Sequence, residues 1–192
     1  MSRLLTPLAQ RMILSLRGYE GSYNQAYGSL PEWKRRIITN IIADAPANGR
    51  SKENKTYNAV HGIVGEHALF LRLMANNVNL DELIKRSITF ADWACSIDKH
   101  IINCEVKKQS GNYPGQVVFT RDKRDEGWYR NRANVGLMLT WTFFNHQEIV
   151  KPTYLIDMAV FDVLPLNGLD NKEVGFWVDL NKAISLGLTV AL

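Results

Sequence analysis

The chain is poor in cysteine and has no long apolar run. Two thiols, Cys95 and Cys104, among 192 residues exclude a disulfide-stapled secreted scaffold. Neither a C-x-x-C pair nor a zinc-type spacing is present. No stretch approaches the roughly 20 apolar residues that a bilayer-spanning helix needs. At the N-terminus Arg3 precedes Leu4, Leu5 and Leu8, but Gln10, Arg11 and Arg17 interrupt the run and no small-residue cleavage site follows. The expectation is a cytoplasmic protein. The glycine patterns of phosphate loops, dinucleotide folds and nucleophile elbows are missing, so no cofactor and no metal is expected. There is no internal repeat.

What is present is the composition of an ordinary globular domain: 46% hydrophobic, 22% charged and 10% aromatic. Disorder would need fewer apolar residues and more charge. The length suits a single domain over residues 1–192, with a helical lobe 1–99 and a sheet-rich lobe 100–192 as the alternative division. The net charge of +4 is unevenly spread: +3 over residues 1–106, +4 over 107–132 and −3 over 133–192.

Hydrophobic periodicity predicts helices first and strands second. Leu4, Leu5, Leu8, Met12, Ile13 and Leu16 recur at helical spacing up to Gly18. Residues 18–31 read as a loop. Ser29-Leu30-Pro31-Glu32 has the form of a helix-start box for a helix with Trp33, Ile37, Ile38, Ile41 and Ile42 on one face and Lys34, Arg35 and Arg36 largely on the other. Residues 45–57 read as a polar loop, and a third helix as running from Asn58 to Met74. In that helix Gly62 and Gly65 leave a flat side for close approach. Leu80, Leu83, Ile84, Ile88, Ala91 and Cys95 trace a fourth helix.

Alternation begins after His100. Ile102, Cys104 and Val106 read as a half-buried strand, Val117 and Phe119 as a second, and Val135 through Phe143 as the clearest. Pro152 separates that strand from another over Tyr154–Val163. A last helix carries Phe176, Trp177, Leu180 and Ile184. The order predicts an α+β fold: an N-terminal helical half, then a mainly antiparallel sheet covered on one face by helices, then a C-terminal helix.

Few residues point to chemistry. His61 and His67 are six apart, about 240° around a helix, which is wrong for two ligands on one metal. Cys95 and His100 read as a buried thiol and an unrelated imidazole. The clearest pattern is basic and aromatic: Lys107 and Lys108, then Arg121, Lys123 and Arg124, then Trp128, Tyr129, Arg130 and Arg132. Arginines interleaved with rings hold single-stranded nucleic acid through phosphate contacts and stacking. A hairpin pairing 102–108 with 116–121 would gather these charges at one end of the sheet.

Two resemblances bear on function. Glu20-Gly21 after an amphipathic helix, followed by Tyr27-Gly28, resembles the start of phage-type lysozymes. That resemblance implies a cell-wall glycoside hydrolase with Glu20 as general acid, although the Thr-x-Gly-x-Gly stretch and a second carboxylate at the family's spacing are absent. From Val135 onward, two strands, an acidic linker, a helix and Leu186-Gly187-Leu188-Thr189-Val190 are similar in order to the C-terminal half of rhabdovirus-type matrix proteins, which implies an assembly role. The leading expectation is a non-enzymatic binding or assembly protein, viral or from a mobile element. It would self-associate into a homo-oligomer and meet nucleic acid or another anionic partner through the basic–aromatic surface. The alternatives are the Glu20 hydrolase and a protein-partner inhibitor or adaptor. The first helix lying on an anionic membrane is a further expectation.

Overall fold

The structure is a computed structural model and describes residues 1–43, 52–82, 92–97, 100–109, 115–120, 135–144, 147–165, 167–168 and 175–192. The fold is α+β. A 3-10 turn, Arg3–Leu5, leads into α1, Pro7–Leu16. The Thr6 side chain caps α1 by accepting from the Ala9 N–H, with Pro7 at the first helical position. The helix ends before Gly18, whose φ of 68° suits glycine. Four further segments precede the sheet proper: β1, Gly21–Ser22; α2, Tyr23–Gly28; α3, Glu32–Ala43; and α4, Lys52–Ala75. The expected loop over 18–31 thus holds a strand and a helix. Ser22 caps α2 through its hydroxyl, a signal masked by the surrounding Gly and Asn. Ser29 does not cap α3; its hydroxyl donates to the Ala26 carbonyl.

The main sheet has seven strands in the order β1-β7-β6-β4-β3-β2, with β10 also on the outer edge of β7. These are β2, Asn79–Glu82; β3, Trp93–Ile97; β4, His100–Lys108; β6, Leu137–Phe144; β7, Ile149–Asp157; and β10, Thr189–Ala191. All ladders are antiparallel except β4 with β6. A smaller sheet pairs β5, Gln116–Thr120, with β9, Gly175–Asp179, and β9 with β8, Asn167–Gly168. Short helices α5, Val160–Val163, and α6, Leu180–Ser185, complete the described elements.

Several sequence expectations are corrected. The fourth helix does not form over its described residues: 79–82 and 93–97 are paired strands. Val78 and Leu80 are buried around exposed Asn79, and Trp93 and Cys95 flank a less buried Ala94. That period of two is short, and strand pairing outweighs the coincidental helical spacing. The 102–108/116–121 hairpin does not exist: β4 pairs with β3 and β6, and β5 pairs with β9. Pro152 does not break a strand. It lies inside β7 at a register shift opposite Trp141, where a missing N–H costs no regular ladder bond. The strand expected to run to Val163 ends at Asp157. Phe176 and Trp177 belong to β9, and the last helix starts only at Leu180, capped by Asp179.

The sheet is covered on both faces. On one, Leu8, Met12 and Leu16 of α1 and Val64, Leu69 and Leu73 of α4 pack on Trp93, Cys104, Leu139 and Trp141. On the other, Met138 and Ile156 meet Val178 of β9 and Leu180 and Ala183 of α6. Helices on one face only were expected; the small sheet and α6 form the second cover. Gly65 explains how α4 approaches so closely. A Cβ there would stand 2.0 Å from the Trp141 ring, and Trp141 is itself buried. Gly65→Val is therefore expected to destabilise the protein by about 3 kcal/mol, read as a lower denaturation midpoint in urea. Gly62→Ala, whose Cβ would meet nothing, is the control and is expected not to destabilise.

Candidate functional site

The register of β3 against β4 creates a notch. The ladder's last pair at that end is Trp93 with Cys104, while β4 continues to Lys108 paired only with β6. No described strand covers the outer edge of β4 over 105–108. Asp92, one residue before β3, turns back onto this edge. Its backbone N–H donates to the Cys104 carbonyl at 3.0 Å, and its Oδ2 accepts from the Val106 N–H at 2.8 Å. A carboxylate is thereby fixed where the next strand residue would have been.

Beside the notch is a cavity of about 450 Å³. α3 supplies Trp33, Lys34, Ile37 and Ile41; α4 supplies Ala59, Gly62, Ile63 and Glu66. The sheet supplies Asp92, Glu105, Val106, Lys107, Lys108 and Trp141. Val106 and Lys108 share the helix-covered face of β4, since Val106 joins that core and the Lys108 ammonium lies over Tyr57 of α4. Glu105 and Lys107 alternate to the other face. The cavity lining therefore includes residues whose side chains alternate between the two faces of β4.

The walls are apolar and the polar groups are charged, three lysines and three carboxylates. Glu105 is 2% exposed and Asp92 8%. Lys107 Nζ lies 2.9 Å from Glu105 Oε1. Lys34, its side chain 3% exposed, pairs with Glu66 at 3.2 Å and sits over the Trp33 ring. Lys34 was expected on the polar face of its helix; instead it and Ile38 are the buried residues of α3. Burial also pulls the Lys108 ammonium below its ordinary pKa.

Both carboxylates act on the neighbouring thiol. Burial first, then Cys95, Asp92 and Glu105, push the Cys104 pKa well above its ordinary value. Burial alone raises Cys95 to about 12. Both are free and buried, so no activated thiolate exists. Neither is expected to react with a thiol-specific dye in the native protein at pH 8, and both should react in urea; rapid native labelling would contradict this burial. The sign of the linkage follows. Above about pH 9 the unfolded thiols ionise while the folded ones stay protonated, so stability falls as pH rises through that range.

Of the basic–aromatic residues read from the sequence, Lys107 and Lys108 line the cleft. Arg121, Lys123, Arg124, Trp128, Tyr129, Arg130 and Arg132 lie outside the described residues. His61 packs among Tyr23, Tyr57 and Phe143, and His67 bonds Ser29. They are on separate clusters, as the spacing required. Glu20 stands away from the cleft, paired with Lys151 at 3.3 Å and half exposed. Asp92, Glu105, Glu66 and Lys34 were not singled out in the sequence. Their signal was a charged Glu-x-Lys flanking an apolar residue on a strand, preceded by an Asp on the neighbouring strand.

No family model, no curated protein and no solved structure matches the chain. Among the described residues no helix is long and apolar enough to cross a membrane.

Proposed function

We propose that the protein is a divalent-metal-dependent hydrolase of phosphodiester bonds in nucleic acid, with Asp92 and Glu105 as the metal-holding carboxylates. The observation that carries this reading is the pair of buried carboxylates at the β4 edge that no described strand covers, on residues that line a cavity together with three lysines. Buried ion pairs are weak contributors to stability, and apolar residues of equal volume would often serve the fold better. Three buried charges, Lys34, Asp92 and Glu105, beside three partly exposed ones around one cavity therefore favour a functional cause.

The donor set fits magnesium or manganese. Among the described residues no three His, Cys, Asp or Glu side chains form a ready cage. Magnesium, however, is commonly held by one or two carboxylates, with water and substrate phosphate completing the shell. A bound divalent cation supplies Lewis-acid polarisation of the phosphoryl oxygen and a more acidic water. The chain's own residues do the rest. Lys107, oriented by Glu105, carries positive charge to where negative charge develops on the phosphate. Lys34 and Lys108 attract the phosphates on either side. The apolar walls of Trp33, Ile37, Ile63 and Trp141 limit water, which strengthens each of these interactions. The basic segment 107–132 begins in the cleft and adds affinity for the backbone.

The test is strand cleavage of labelled DNA and RNA, single-stranded and duplex, with magnesium or manganese and with EDTA. Cleavage that needs the cation and disappears in Asp92→Asn is the expected result. Salt-sensitive binding with no cleavage under any cation returns the protein to non-enzymatic nucleic-acid binding. Lys107→Ala is expected to lower the cleavage rate by about a hundredfold with little change in metal affinity, measured by calorimetry.

A further inference from the structure

A row of aromatic rings leads away from the cleft. Tyr27 and Tyr23 of α2 are nearly parallel, with ring centres 6.4 Å apart. Tyr23 stacks on His61 of α4 at 4.9 Å, and His61 meets Tyr57, one turn earlier, at 3.8 Å. Phe143 of β6 braces Tyr23 and His61 at 5.0 and 4.5 Å. The Lys108 ammonium lies 4.9 Å from the centre of the Tyr57 ring, and Lys108 lines the cleft. The row is continuous from Tyr27 to the cleft wall.

Its interior is covered and its ends are open. His61 is buried, whereas Tyr27 and Tyr57 are 49% and 41% exposed. His61 Nδ1 donates to the Tyr57 carbonyl at 2.7 Å, which fixes the imidazole that packs against Tyr23 and Tyr57. Core packing does not require two half-exposed rings at the ends of a braced row. Rings held this way lose little freedom when something binds them. Rings beside a lysine are also what unpaired bases and their phosphates need: stacking that tolerates any base, and a cation for the backbone.

We propose that this row is a stacking subsite for unpaired nucleobases of the strand whose phosphate enters the cleft: Lys108 turns from the Tyr57 ring to the phosphate at the cleft end, Tyr57 takes the adjoining base, and Tyr27, at the far end of the row, takes a base further along the strand. The proposal rests on the hydrolase reading for its substrate class. Duplex bases are already stacked and paired, so the subsite selects single strands over blunt duplex.

The experiment is fluorescence anisotropy with a labelled short single strand and a blunt duplex of equal length, in EDTA, where metal-dependent cutting cannot occur. The wild type is expected to prefer the single strand. Tyr27→Ala with Tyr57→Ala should weaken single-strand binding about tenfold or more and bring the preference towards one. Tyr27→Phe with Tyr57→Phe should retain it, because the ring faces remain. An unchanged preference in the alanine pair, or loss in the phenylalanine pair, overturns the subsite. Tyr27→Ala alone guards against misfolding, since the ring contacts only Tyr23 among the row; it should show a smaller loss of the same kind, and wild-type preference in it counts against the subsite. The two readings fail separately. A wild type that needs its tyrosines for single strands but cuts nothing in magnesium keeps the subsite and loses the hydrolase. One that cuts normally with both tyrosines replaced keeps the hydrolase and loses the subsite.

Discussion

Glu105→Gln is expected to lower cation-dependent strand cleavage by about a thousandfold. Loss of even an outer-sphere partner costs metal sites roughly 10–100-fold, and in the proposed function Glu105 would be a direct ligand of the cation. Glutamine keeps the shape of the side chain and removes only the charge, so the effect isolates the carboxylate. The same variant leaves Lys107 without its 2.9 Å partner. Lys107 keeps about a fifth of its side chain in solvent, so its loss of a partner is softened by water and should cost less than the roughly 3–5 kcal/mol of a fully buried broken pair. The double variant Glu105→Gln with Lys107→Met removes both charges. It should regain stability, since apolar replacement of a buried pair is often neutral or stabilising, while remaining inactive. Stability and activity moving apart in this way marks a site kept for chemistry. If the double variant were active, or if both variants simply failed to fold, the charges would be structural.

The largest effect on stability is expected at Asp157, on β7 two strands across from Cys104. Its side chain is 1% exposed and ties the N-terminus to the end of β7. One oxygen accepts from the Arg3 backbone N–H at 2.6 Å and from the Ser2 hydroxyl at 3.3 Å. The other accepts from the Arg3 guanidinium and the Ala159 N–H, both at 2.9 Å. Asp157→Ala strands two backbone donors at once, while the Arg3 guanidinium, 43% exposed, turns to water. An unsatisfied buried donor costs about 1–3 kcal/mol, so a loss near 4 kcal/mol is expected from urea unfolding. Asp157→Asn keeps some acceptor capacity and should lose about half as much. Truncating residues 1–3 should reproduce most of the alanine effect; a fully stable truncation would show that the latch contributes nothing.

The legible part of the fold was what local pattern dictates. The first helix, its glycine stop, the strands 100–108 and 137–144 and the α+β order all follow from strong periodicity. The flat side of α4 was legible too, as a glycine at 65. What could not be read was pairing. Asp92, one residue before β3, meets β4 only because β3 and β4 form a hairpin, and the apolar spacing from Leu80 to Cys95 reads as a helix in the sequence although its described ends are strands. Glu105 and Lys107 looked like the solvent side of a half-buried strand. In a sheet covered on both faces, the alternate positions are interior as well, and Glu105 is buried there beside Lys107. Lys34 was misplaced for a similar reason: α3 packs through a narrow strip, Ile38 with Lys34, while Trp33 and Ile37 line the cleft. Lys107 and Lys108 were chosen from charge density, and the cleft gives them a more specific place than a basic hairpin end would have.

The central claim is that Asp92 and Glu105 together hold a divalent cation. Calorimetric titration of the wild type with manganese, beside Asp92→Asn and Glu105→Gln, tests it most directly. The account predicts a saturable site of about one cation in the wild type, and binding weakened at least about tenfold in each variant. Equal binding in all three proteins, or no saturable binding in the wild type, would contradict it.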